Sequence, residues 1–131
     1  MPVFTYLVIL ILMVVLENSL IYFPSVYPDG NWNPHGLKFE DAWFDAPDGT
    51  KLHGWYVPTP NPRAILLFAH GNAGNLSHRI ELLEVFSNQL QTSVMIFDYR
   101  GYGRSEGRPT EAGILSDARA ARRWLAARAG V

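Results

Sequence analysis

One serine in this chain sits in the pattern of an acyl-transfer nucleophile. Gly103-Arg104-Ser105-Glu106-Gly107 matches G-x-S-x-G letter for letter. A working turn of that kind has a strand running directly into the serine and a helix running directly out of it, which leaves Oγ exposed on a strained bend. Here residues 99–102 separate the motif from the nearest strand-like run, and Arg108-Pro109 separate it from the next helical pattern. That context argues against Ser105 as a nucleophile. Gly101-Tyr102-Gly103 fails as a dinucleotide fingerprint, because Glu106 stands where the third glycine belongs. His35, His53, His70 and His78 have no metal-ligand spacing, and neither H-E-x-x-H nor a P-loop occurs. Cysteine is absent, which removes thiol nucleophiles, thiolate metal sites and disulfides. Neither a metal nor a cofactor is expected. A second glycine-bearing loop, His70-Gly71-Asn72-Ala73-Gly74-Asn75, follows a short apolar run.

The elements that must position these loops are readable from pattern. Ala64 to Ala69 (AILLFA) is continuously apolar and bounded by turn residues, which suits a strand buried on both faces of a parallel sheet. Ser77 is placed as the N-cap of a helix from about His78 to Leu90, with Leu83, Phe86 and Leu90 on one face. Val94 to Phe97 predicts a second buried strand ending at Asp98, and a loop then runs to Thr110. The last helix covers about Glu111 to Arg128, with Ile114, Ala118, Ala121 and Leu125 as its apolar stripe and Gly130 as a stop. Upstream, FEDAWFD and KLHGWYV flank Ala46-Pro47-Asp48-Gly49-Thr50, a β-hairpin with a turn whose Pro presets φ and whose Gly tolerates positive φ. Strand-helix-strand-helix order with short loops implies an α/β sheet with right-handed crossovers.

The chain has 131 residues, enough for one small domain, and its 48% hydrophobic and 18% charged content is ordinary. A net charge of -1 supplies no global positive field, so no nucleic-acid partner is expected. Arg100, Arg104, Arg108, Arg119, Arg122, Arg123 and Arg128 crowd the last third. They read as a solvated loop and helix face, with a lipid-headgroup or anionic-substrate patch as the alternative.

Val3 to Leu16 is apolar except for Thr5. Such a helix spans about 21 Å, short of a hydrocarbon core of about 30 Å. Counting on to Phe23 reaches the needed length and places Glu17 in the last turns. A single-pass membrane anchor over 1–23 is the first reading. A cleaved signal peptide is the second, opposed by the absence of a basic n-region and of any Ala before Ala42. A buried core helix is the third. Orientation is not readable, since the first basic residue is Lys38. Pro24, Pro28, Asp29-Gly30 and Asn33-Pro34 make 24–36 a linker without helix or strand periodicity. The α/β domain then occupies 37–131.

Three features together resemble the α/β-hydrolase superfamily: AILLFAHGNAGN at 64–75, VMIFDYRGYGRSEGRPTEAGILSDARAARRWL at 94–125, and ENSLIYFPSVYP after the apolar N-terminus. The combination is similar to the membrane-anchored serine-hydrolase branch, which includes depalmitoylase-like members, and the likeness runs from about residue 3 to 128. It implies the N-terminal half of the family's sheet: a β-hairpin, then β-α-β-α, preceded by one transmembrane helix. It implies that the 70–74 loop builds an oxyanion hole, with the backbone N–H groups of Asn72 and Ala73 as donors and His70, Gly71 and Gly74 as loop support. Such donors hold the negative charge of a tetrahedral intermediate, and small residues let the main chain approach it.

The resemblance also implies that the catalytic base lies far downstream of the nucleophile, so His70 is structural. Asp98 is read as anchoring the following loop through backbone or Arg hydrogen bonds. Nucleophile, triad acid and catalytic histidine are all expected outside these 131 residues. The implied activity is hydrolysis of ester, thioester or similar acyl bonds once completed. The alternative is a non-catalytic membrane-anchored fragment or binding protein with a partial sheet. In the family's sheet the third strand lies between the fourth and the fifth, so AILLFA is expected as an exposed apolar edge prone to association.

Overall fold

The computed structural model describes residues 2–131. Helix α1, Pro2–Ile21, is 20 residues long with no buried side chain, and it is long and apolar enough to cross a membrane. At 1.5 Å per residue it spans about 30 Å, so it reaches through Glu17 to the length a hydrocarbon core requires. The chain then forms β1 (Phe23–Pro24), β2 (Glu40–Asp45), β3 (Lys51–Val57), β4 (Ala64–Ala69), β5 (Ala73–Gly74), a helical segment over 76–89, β6 (Thr92–Phe97) and α3 (Glu111–Ala129).

The main sheet has the order β2-β3-β6-β4. β2 and β3 are the hairpin, with Ala42 opposite Gly54; β3 pairs antiparallel with β6, and β6 pairs parallel with β4, Leu66 opposite Val94. β6 is buried along its whole length because both faces are covered. Successive side chains alternate between those faces. Met95 and Phe97 meet Ala121 and Leu125 of α3, while Val94 and Ile96 meet Leu76 and Leu83 on the other side. β4 is only half-buried and lies at the sheet edge, so the burial on both faces expected from its apolar run is not met, while the edge position implied by the resemblance is.

α3 matches its expected span. Thr110 Oγ1 caps it by accepting the Gly113 N–H, and Gly130 ends it in the left-handed conformation at φ 72°. The helix expected over 78–90 differs. Asn75, not Ser77, is its N-cap: Asn75 Oδ1 accepts the Ser77 N–H, and His78 Nδ1 accepts the Asn75 N–H. A 3₁₀ turn (Leu76–Arg79) leads into α2 (Ile80–Glu84), which opens into a π turn (Val85–Gln89). The wider turn rotates Leu90 off the buried face, and it is 52% exposed.

Residues 24–36 are not a free linker. Phe23 and Pro24 pair parallel with Ala73 and Gly74, and Val26 bridges to Gly103. The segment forms a strap across two loops. Local periodicity could not reveal it, because its partners lie about fifty and about eighty residues away in sequence. Arg100 also departs from the solvated reading. It is 9% exposed and pairs with the buried Asp117.

Candidate active-site loop

Residues 70–75 leave the C-terminal end of parallel strand β4, the end where open α/β sheets place ligands. Three consecutive carbonyls of this loop are held from below. Tyr99 O–H donates to His70 O at 2.6 Å. His70 Nδ1–H donates to Gly71 O at 2.8 Å. Tyr102 O–H donates to Asn72 O at 2.6 Å, and Phe23 N–H donates to the same oxygen at 2.9 Å. A trans peptide holds each C=O antiparallel to the next N–H. Clamping these carbonyls therefore aims the N–H groups of Gly71, Asn72 and Ala73 the opposite way. Gly71, Asn72 and Ala73 are exposed. Among the described residues the Asn72 N–H has no acceptor.

The clamps are built from buried groups. His70 is 3% exposed, and its ring lies 4.9 Å from that of Tyr99 and 5.6 Å from that of Tyr102. Burial pushes the Tyr99 phenol up from its ordinary range, and it pushes Tyr102 up to about 12. Both phenols keep the protons they donate throughout neutral pH. The far ring nitrogen of His70, Nε2, lies 3.1 Å from Asp98 Oδ1, which also accepts the Leu76 N–H at 2.8 Å. Asp98 thus ties down the loop before it, across the sheet end, and no arginine pairs with it among the described residues. Its Oδ2 is buried without a hydrogen-bond partner and packs against Gly103, where a Cβ would collide with it.

The strap closes the loop from outside. Ser25 N–H donates to Gly74 O, and Asn75 Nδ2 donates to Ser25 O and Asp29 O. Tyr27 N–H donates to Gly103 O, and Gly103 N–H donates to Ser25 O. The guanidinium of Arg104 lies 4.5 Å above the Tyr27 ring and 5.1 Å above Trp32. A small cleft of about 120 Å³ opens beside the loop, lined by Tyr22, His70, Asn72, Tyr99, Tyr102 and Ile114.

Ser105 is structural. It is 8% exposed, accepts the His53 N–H at 3.0 Å and donates to Asp98 O at 2.7 Å. Both capacities of its hydroxyl are used to hold a loop turn. His53 and Asp41 pair at 2.6 Å nearby, yet the His53 ring does not reach Ser105 Oγ with a hydrogen bond. The grouping of Ser, His and Asp there is not a triad. No group of three or more metal-binding side chains forms among the described residues.

His70, Gly71, Asn72, Ala73 and Gly74 form one loop at the C-terminal end of β4. Sequence reasoning missed the strap and the two tyrosines. The spacing Asp98-Tyr99-x-x-Tyr102 was visible, but which carbonyls the phenols reach depends on the sheet register.

No protein-family model matches the chain. Over 127 residues it is 35% identical to the α/β hydrolase domain-containing protein WAV2 of Arabidopsis thaliana, which covers 92% of this chain and 41% of WAV2. It is 33% identical over 118 residues to protein bem46 of Schizosaccharomyces pombe, covering 83% of this chain and 39% of bem46. The chain spans about two fifths of the length of these relatives. Among solved structures, the esterase Pf2001 of Pyrococcus furiosus aligns over 82% of this chain and 42% of its own, with a TM-score of 0.64 and 22% identity, a likeness of fold. Kinship to WAV2 and bem46 puts this chain in the α/β-hydrolase superfamily, and its likeness to the esterase is one of fold.

Proposed function

We propose that the whole protein is a membrane-anchored serine hydrolase of carboxylic ester, thioester or similar acyl bonds, and that the main-chain N–H groups of Asn72 and Ala73 form its oxyanion hole. The single observation that supports this most is the set of three clamped carbonyls at His70, Gly71 and Asn72. A tetrahedral intermediate puts a full negative charge on one oxygen. Donors fixed beforehand stabilise it without reorganising, and removing one such donor costs about 10²–10³ in rate. His70, Gly71 and Gly74 serve the loop's shape. His70 has both ring nitrogens committed, so it is a support and not the base.

The reacting serine is proposed to come from the part of the relatives' length that this chain does not span. Ser105, buried with its hydroxyl committed, is not that serine. α1 serves as the anchor, with Tyr22 and Phe23 at the membrane surface.

The test is fluorophosphonate labelling of the whole protein in a bilayer. A single labelled serine outside residues 1–131, with Ser105→Ala still labelled, is expected. Failure to label any serine would refute the hydrolase reading and favour a non-catalytic membrane protein. Loss of labelling in Ser105→Ala alone, with the fold intact, would overturn the structural role given to Ser105.

A further inference from the structure

The last four carbonyls of any helix lack an intrahelical partner. At the end of α1, Asn18 O accepts the Tyr22 N–H. Ile21 O is met from across the molecule: Asn72 Nδ2 donates to it at 2.5 Å. The residues after Ile21 are Tyr22, Phe23 and Pro24, so the chain itself supplies no glycine or asparagine cap there. Asn72 is held at three points. Its carboxamide meets the end of α1, its carbonyl receives the Phe23 N–H from the strap, and the same carbonyl receives Tyr102 O–H from the loop after β6. Two of the three come from the chain directly leaving α1.

We propose that the side chain of Asn72 is a positioning group that couples the seating of α1 to the orientation of the 71–74 peptides. A shift or rotation of α1 displaces Ile21 O and the Phe23 N–H together, and the Asn72 carbonyl follows them. Because the 72–73 peptide is rigid, the Ala73 N–H turns with that carbonyl. The coupling rests on the oxyanion reading for its catalytic consequence, but not for its structural one. It gives the anchor a second role besides tethering: α1 correctly seated is a condition for an aligned loop.

A double-perturbation cycle on the whole protein in nanodiscs tests this. One perturbation is Asn72→Asp, which keeps size but removes the donor to Ile21 O. The other is a single alanine inserted after Ile21, which turns the helix end by about 100° and advances it by about 1.5 Å while leaving the domain sequence intact. Amide exchange is read for 70–76 and, as an internal control, for 92–97. Each single change is expected to speed exchange at the hydrogen-bonded amides of 70–76, those of Asn75 and Leu76, about tenfold with 92–97 unchanged, and the combination is expected to add no more. In ester turnover the singles lower kcat and leave KM unchanged.

Multiplicative effects in the double variant, or an insertion that leaves 70–76 as in the parent, would overturn the coupling. A variant that loosens 92–97 as well would mark general unfolding and count against it. Non-additive exchange in a protein that no fluorophosphonate labels would keep the coupling and refute the hydrolase. Labelling and turnover that ignore both perturbations, with exchange in 70–76 as in the parent, would keep the hydrolase and refute the coupling.

Discussion

The phenolic oxygen of Tyr102 lies 2.6 Å from the main-chain oxygen of Asn72, and the ring that carries it is wholly buried. One hydroxyl, delivered from the loop after β6, thereby sets a peptide in the loop after β4. Tyr102→Phe keeps the packing and deletes only this bond. The expected cost is about 0.5–1.5 kcal/mol in stability, since Asn72 O retains the Phe23 N–H. In the whole protein fluorophosphonate labelling should slow by about tenfold or more, with the larger loss if the Ala73 N–H leaves its alignment. Urea melts and labelling kinetics read the two effects; unchanged labelling at reduced stability would remove Tyr102 from the site.

Arg100 ties the start of the loop after β6 to α3. Its main-chain N–H, Nε and Nη2 all donate to Asp117, at 2.8, 3.0 and 2.7 Å, and its Nη1 reaches Asp48 at 2.8 Å. The Asp117 side chain is fully buried. Asp117→Ala leaves the nearly buried guanidinium with Asp48 alone and should destabilise the fold by about 3 kcal/mol. Asp117→Asn should cost less, because its one amide oxygen can still accept the main-chain N–H and Nε, while the bond from Nη2 is lost. Arg100→Lys should fall between, having lost the planar fork. Equal stability for Asp117→Ala and Asp117→Asn in chemical denaturation would contradict this account.

Two groups make stability depend on pH in separate windows. Burial pushes the His53 imidazole down from its ordinary value of 6.5, against the opposing pull of Asp41. The unfolded chain takes up that proton near 6.5, whereas the folded chain resists it. The His53 contribution is therefore full above 6.5 and is lost as pH falls toward the lower folded value. Asp48 acts lower down: the hydrogen bond from Arg100 holds its carboxyl at about 2 against 3.8, so its contribution is present above 3.8 and fades toward pH 2. Guanidinium midpoints at pH 7.5 and 5.5 should fall for the parent and stay flatter for His53→Gln. Parallel lines for the two proteins would exclude His53 as the source.

Among the described residues no strand pairs with the outer edge of β4 beside Ile65, Leu66, Leu67 and Phe68, and the strand contains no charge or proline. Such an edge recruits another strand. The 131-residue chain in detergent should self-associate as its concentration rises, with 64–69 gaining amide protection in step. Sedimentation at several concentrations checks this. A monodisperse monomer that melts cooperatively would contradict it.

Residues 64–69, 92–97 and 111–129 declare themselves in the sequence because their signals are local. Both strands are short apolar runs between turn residues, and the apolar stripe of α3 recurs at helical spacing with Thr110 and Gly130 at its ends. The loop 70–74 was legible for the same reason, as small residues directly after a strand. The break of the 76–89 segment into three helical forms was not. Its cap is decided by Asn75, whose amide also reaches Ser25 and Asp29 of the strap, and no local pattern contains that competition.

The amino-acid order by itself determined an apolar N-terminal helix, a hairpin followed by alternating strands and helices, and a serine in the wrong context for nucleophilic attack. It also placed a glycine-bearing loop at the end of a parallel strand. Only the tertiary structure decided what holds that loop: Tyr99 and Tyr102 beneath it, Asp98 behind its helix start, the strap across it and the end of α1 against Asn72. Propensity and periodicity act over a few residues, whereas each of these bonds joins residues that only the sheet order and the path of the strap bring within 3.1 Å.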